Sequence, residues 1–132
     1  MACKLAVVAR SDLSMSAGKL AAQVGHAVHD AVTNVDPKKL EAWEEDGSMI
    51  VVLQAEGEAS LVALERAAKK AGLEASDVRD EGLTEVESET FTALAIGPDL
   101  SARVDAVTGK LDVYREDPEH RALRLRAESA EA

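Results

Sequence analysis

The chain alternates between apolar runs and segments of helical period. Residues 5–9 (Leu-Ala-Val-Val-Ala) form a short continuous apolar run, the pattern of a strand covered on both faces. Residues 10–16 are polar and serine-rich, so they read as a loop. A helix is predicted from about 16 to 34, capped by Ser14 or Ser16, with Leu20, Val24, Ala27, Ala31 and Val35 at helical spacing toward the core. Asp36-Pro37 opens a second helix that carries Leu40 and Trp43 inward and stops at Asp46-Gly47. Residues 49–53 predict a second buried strand, and 58–71 a third helix stopped by Gly72. Residues 75–79 read as a weaker strand, 80–89 as an acidic loop, and 90–96 as a strong strand ended by Gly97-Pro98. Asp99 is expected to cap a fourth helix through Val107, and residues 111–114 to form a last short strand. Strands alternating with helices predict an α/β sandwich with a largely parallel sheet. There is no internal repeat and no linker, so residues 1–116 are expected to form one domain. Residues 117–132 form a charged tail that is either a marginal helix or frayed.

Composition narrows the function. The 132 residues are 46% hydrophobic, enough for a packed core, but the aromatic residues are confined to Trp43, Phe91 and Tyr114. The core must therefore be aliphatic, and a stacking platform for unpaired bases is excluded. Cys3, the single cysteine, cannot form an internal disulfide or a cysteine zinc site. No apolar run is long enough to span a bilayer, and no signal-peptide layout precedes the first strand, so no membrane association and a cytoplasmic location are expected. The net charge of −10 argues against nonspecific nucleic-acid binding, so any RNA contact must use a local basic patch. Solubility or adaptation to salt accounts for the acidity in general.

Ligands of such sheets bind beyond the carboxyl ends of the strands, which points to the loops at 10–16, 79–89 and 97–99. The first leads into a helix N-terminus, a natural anion site. Lys19 falls in the first turn of that helix, where a cation is disfavoured by a few tenths of a kcal/mol up to about 1 kcal/mol. Gly18 beside it costs roughly another 1 kcal/mol relative to alanine, unless close backbone approach is needed. Two disfavoured neighbours mark a site; a solvated lysine on a helix shoulder is the plain alternative. Lys19, Gln23, His26 and Asp30 form one polar stripe, either facing substrate or simply facing solvent, and periodicity alone favours solvent. His26 with His29 lacks a third ligand for zinc apart from His120 in the tail. Ser16 and Lys19 match a serine–lysine acyl-transfer spacing, but the companion S-D-N and K-T-G motifs are absent. The Gly18-Lys19 pair lacks the other residues of a phosphate loop. Asp80 and Thr84, with Thr90 and Thr92 on the next strand, offer a carboxylate and hydroxyls able to hold a water. Ordinary turn chemistry at Asp80-Glu81-Gly82 explains the aspartate equally well.

Taken together, Arg10-Ser11-Asp12-Leu13, Gly18-Lys19-Leu20-Ala21-Ala22-Gln23, His26-Ala27, Val78-Arg79-Asp80 with Gly82 and Thr84, and residues 92–98 ending in Gly97-Pro98 form an ordered set of motifs. Over residues 4–114 the chain resembles the archaeal and eukaryotic-type peptidyl-tRNA hydrolases. The resemblance implies hydrolysis of the ester joining a peptide to the 3′ end of tRNA, without metal or cofactor, on a three-layer sandwich whose mixed, mostly parallel four-stranded sheet is flanked by helices. It implies activity roles for Lys19, Asp80 and Thr84, and substrate-binding roles for Gly18, Gln23, His26 and Thr92. The family often dimerises, so a homodimer is open to this chain. Ser16-Ala17 replaces a glycine and a basic residue usual in the family, and Glu81, Glu85 and Ser88-Glu89 replace other family residues and add acid near Asp80. Those departures leave an alternative: a non-catalytic tRNA- or protein-binding member of the same fold. A second alternative is hydrolysis of a smaller acyl ester.

Overall fold

In the computed structural model of the chain, which describes residues 2–80, 89–115 and 118–131, β1 (Cys3–Arg10) is an inner strand of a four-stranded sheet. It pairs in parallel with β2 (Ile50–Ala55), from Leu5 opposite Ile50 to Arg10 opposite Ala55. On its other side lies β4 (Phe91–Leu100), antiparallel, and β3 (Ala75–Arg79) closes the far edge, antiparallel to β4. The order is β2-β1-β4-β3, so β1, β2 and β3 run one way and β4 alone runs against them.

Alternation along β1 sorts the core into two layers. Cys3, Leu5, Val7 and Ala9 face α1 (Ala17–Asn34) and α2 (Pro37–Glu45), meeting Ala27, Ala31 and Trp43. Ala6 and Val8 face the other side, where Leu61 and Ala68 of α3 (Glu58–Lys70) and Val104 of α4 (Ser101–Thr108) pack with Phe91, Leu94 and Ile96. The core is aliphatic, with one buried aromatic ring in each layer, Trp43 and Phe91, and the half-buried Tyr114 packed against the layer of Trp43. Alanines at 93 and 95 on β4 and at 27 and 31 on α1 let that helix lie close to the sheet. Full burial of each Leu, Ile, Val or Phe contributes about 1.5–3 kcal/mol.

Several local signals behave as the sequence predicts. The Ser16 side chain caps α1 by accepting from the Lys19 N–H, and Asp36 caps α2 with Pro37 following. Gly72 follows α3 at φ +76°, the left-handed conformation that favours glycine. Other expectations need correction. Strand β4 does not stop at Gly97-Pro98 but continues to Leu100. Gly97 at φ +99° sits where the β1–β4 register shifts, so the glycine makes a bulge rather than an end. Asp99 does not cap α4: it accepts from the neighbouring Leu100 N–H at 2.7 Å and binds Lys39 and Arg103. Residues 111–114 form a single bridge, Leu53 to Val113, with Asp112 and Tyr114 bonded to β2, and not a strand. β2 is an outer strand and starts exposed at Ile50. The tail contains α5 (Pro118–Glu131).

Candidate active site

The parallel strands place the ends of β1, β2 and β3 on one edge of the sheet, where β4 begins. Arg10, at the end of β1, and Arg79, at the end of β3, both lie at that edge. The loop at 97–99, the third candidate, lies on the opposite edge, because β4 runs the other way. The turn after β2 takes its place: Ser11 donates from both its N–H and its hydroxyl to the Ala55 carbonyl, and Gly57 approaches Asp12.

Helix α1 aims its first turns at this edge. The expected stripe of Lys19, Gln23, His26 and Asp30 divides. Lys19 and Gln23 continue the buried row of Ala27 and Ala31, at 8% and 5% exposure, whereas His26 is exposed and Asp30 half-buried. Periodicity favoured solvent for Lys19 and Gln23, because it does not include long-range partners. The Lys19 ammonium forms a buried ion pair with the Asp80 carboxylate, 61 residues away. A cation disfavoured by its own helix end is thereby compensated from another element. Asp80 is fixed through its backbone as well: its N–H donates to the Thr90 carbonyl at 2.9 Å, and its carbonyl accepts from the Glu89 N–H. Its carboxylate is buried against Lys19 and does not face water. Among the described residues, Gly18 has an open flank, since a Cβ there would meet none of their atoms within 4 Å, and no contact with them demands glycine at that position. Thr84 and Gly82 lie outside the described residues.

A β-bulge delivers Thr92. Val78 stands opposite Ala93 but Arg79 opposite Phe91, so Thr92 is the extra residue. Its side chain is fully buried and its hydroxyl contacts Gln23 Oε1, with the Val78 carbonyl at 3.3 Å. The site thus has two linked pairs one helical turn apart on α1: Lys19 with Asp80, and Gln23 with Thr92.

Around them stands a brace that the motif contained but whose geometry the sequence did not show. Arg10 grips Asp12 through two hydrogen bonds, at 2.9 and 2.7 Å, and donates to the Phe91 carbonyl at 3.2 Å. It ties the loop entering α1 to the start of β4. The hydrogen bond to Asp12 holds the guanidinium above the usual arginine range despite partial burial. The same bond holds the Asp12 carboxyl below the usual carboxylate range, against the opposing effect of its own desolvation. Arg79 lies over the Phe91 ring at 4.7 Å and pairs with Asp77 at 3.1 Å. Each of the three cations at this edge, Arg10, Lys19 and Arg79, therefore carries its own carboxylate partner. His26 and His29 are exposed on α1, and among the described residues no three metal-binding side chains gather. Among the same residues no helix is long and apolar enough to cross a membrane.

A buried lysine–aspartate pair thus lies at the carboxyl edge of a small α/β sheet, beside a helix N-terminus whose N–H groups suit an anion. The family model described as peptidyl-tRNA hydrolase PTH2 matches residues 3–114. A protein of Haloquadratum walsbyi named peptidyl-tRNA hydrolase is 42% identical over 111 residues, covering 84% of this chain and 99% of that protein. One of Methanopyrus kandleri with the same name is 42% identical over 114 residues, covering 85% and 98%. A Drosophila melanogaster protein named probable peptidyl-tRNA hydrolase 2 is 38% identical over 111 residues, covering 82% and 60%. The chain belongs to the peptidyl-tRNA hydrolase PTH2 family.

Proposed function

We propose a division of labour at this edge for the family's reaction. The chain hydrolyses the ester bond of peptidyl-tRNA, releasing free tRNA and peptide. Asp80 orients the attacking water and accepts its proton, with Thr84 helping to hold that water. Lys19 fixes the Asp80 carboxylate and, with the α1 N-terminus, supplies the positive field for charge developing on the ester carbonyl. Gly18, Gln23 and His26 line the path of the substrate's acceptor end, and the buried Thr92 serves binding from behind, through Gln23. Among the described residues the flank at Gly18 is open and His26 is exposed on the same helix, a surface that suits a nucleotide chain.

The observation that carries this reading is the buried Lys19–Asp80 pair. A polar pair of this kind has no solvent to satisfy it and contributes little net stability, so a chemical task explains its presence better than packing does. Nothing at the site favours the non-catalytic alternative. The proposal includes action in the cytoplasm, where translation supplies peptidyl-tRNA, and a homodimer, which sedimentation tests. The test of the reaction is release of peptide from an N-acetylated aminoacyl-tRNA, followed over a range of salt because the net charge is −10. Release by folded wild type supports the proposal. Absence of release at micromolar enzyme at every salt concentration refutes it, and turnover of N-acyl amino-acid esters alone would move the substrate to a smaller ester.

A further inference from the structure

We propose that the side-chain amide of Gln23 is the hydrogen-bond donor to the oxyanion, and that Thr92 is the positioning residue that sets which end of the amide faces the substrate. This rests on the ester-hydrolysis reading above and assigns a part of the chemistry that Lys19 and Asp80 leave open.

A glutamine amide has two N–H donors and one carbonyl acceptor. In Gln23 the carbonyl oxygen Oε1 takes the Thr92 hydroxyl, while Nε2 has no acceptor among the described residues, although Gln23 is only 5% exposed. Ser76 Oγ, not Gln23 Nε2, is the fully buried side-chain polar atom without a partner among the described residues, so this amide nitrogen keeps access from outside and is open to an acceptor that a ligand brings. Thr92 decides the orientation. Its hydroxyl carries one proton and has two acceptors in reach, Gln23 Oε1 and the Val78 carbonyl at 3.3 Å. With the proton given to Oε1, the amide turns its N–H groups away from Thr92. The β-bulge is what frees Thr92 from the ladder for this task.

Gln23 follows Lys19 by one turn in the same buried row, so the free donor lies beside the proposed water-activating pair. The ammonium of Lys19 is already neutralised by Asp80. A neutral amide adds a donor whose charge is not cancelled by a carboxylate. In the reaction the water oxygen bonds to the ester carbonyl carbon and its proton passes to Asp80. The carbonyl π pair moves onto the carbonyl oxygen, which Nε2–H then holds. Collapse restores the carbonyl, breaks the bond to the ribose oxygen, and returns the proton from Asp80 to that oxygen. Removing one such donor typically lowers kcat by about 10²–10³-fold.

Gln23→Glu is the sharpest probe, because it keeps an oxygen for Thr92 and replaces the donor by an acceptor. Gln23→Met, similar in volume and uncharged, serves if the carboxylate prevents folding. Thr92→Val removes the orienting proton, and Thr92→Ser restores it. The assay is steady-state peptide release from N-acetylaminoacyl-tRNA, with inhibition by a phosphonate analogue of the ester as tetrahedral anion probe. The expected result for both Gln23 variants is a kcat about 10²–10³-fold lower with KM within about threefold. Phosphonate affinity should fall in step with kcat/KM. Thr92→Val should lose at least about tenfold in kcat, and Thr92→Ser should recover to within about threefold of wild type. A folded Gln23 variant with wild-type kcat, a loss confined to KM, or a Thr92→Val variant as active as wild type overturns the proposal. Wild type that releases no peptide overturns the hydrolase reading and this proposal with it, so the two failures are distinguishable.

Discussion

Replacing both members of the buried ion pair, Lys19→Met together with Asp80→Leu, separates what the pair does for stability from what it does for chemistry. The side chains of Lys19 and Asp80 are 6% and 4% exposed, so screening by water and salt takes little from their interaction. Removing one partner strands a buried charge, at a cost of about 3–5 kcal/mol. For a domain of this size 1 kcal/mol shifts Tm by roughly 3–6 °C, so each single variant should melt roughly 9–30 °C below wild type. Removing both charges in favour of apolar groups of similar volume returns the protein to about wild-type stability, or stabilises it by about 1–3 kcal/mol. The backbone bonds of Asp80 to Thr90 and Glu89 survive in every variant. Thermal unfolding of the four proteins by circular dichroism at fixed salt reads the cycle, and peptide release from N-acetylaminoacyl-tRNA is measured on the same samples. The reasoning requires a stable double variant that is inactive. Single losses below about 1 kcal/mol, or a double variant whose loss is the sum of the two singles, would refute the buried pair. A double variant with wild-type turnover would make the pair purely structural.

Gly18→Ala should stabilise the fold by up to about 1 kcal/mol, because a Cβ there meets nothing among the described residues and α1 gains a better helix former. If substrate uses the open flank, the same variant should raise KM in the release assay. Asp99 is buried, and desolvation alone raises its pKa; the hydrogen bonds from Lys39 and the Leu100 N–H and the charges of Lys39 and Arg103 outweigh it, leaving the pKa below 3.8. A depressed folded pKa means stability present above the unfolded value and lost as pH falls through the folded one. Asp99→Asn should therefore cost about 1–2 kcal/mol at pH 7 and flatten the loss of Tm below about pH 4. A chain ending at residue 116 should keep Tm within about 3 °C and turnover within about threefold, because α5 packs only marginally on the other elements among the described residues and the family match ends at Tyr114. A large loss in either would make α5 part of the domain.

The elements were legible where the signal is local. Residues 5–9 give β1 because a doubly covered strand needs no alternation, and Ser16, Asp36-Pro37 and Gly72 mark helix ends through their own side chains or backbone freedom. Strand direction was not legible. Nothing local reveals that β4 runs against its neighbours, and for that reason the loop at 97–99 falls on the wrong edge. Gly97-Pro98 reads as a stop because the two residues punctuate most chains, yet here they lie within a strand at a bulge. The site shows the same division. A lysine in the first turn of a helix is anomalous from sequence alone, but its burial depends on Asp80, 61 positions away, which periodicity cannot see. Thr92 entered as one hydroxyl among several, and only the register between β3 and β4 shows why it reaches Gln23.

The most direct measurement of the central claim is single-turnover release of peptide from N-acetylaminoacyl-tRNA by excess wild-type and Asp80→Asn enzyme. Both would be taken at a salt concentration where circular dichroism shows them folded. Single turnover removes product release, so the rate reports the chemical step. The account predicts rapid release by wild type and a rate at least about tenfold lower for Asp80→Asn, a loss of about 1.4 kcal/mol or more in transition-state stabilisation. Equal rates for the two folded proteins would contradict it.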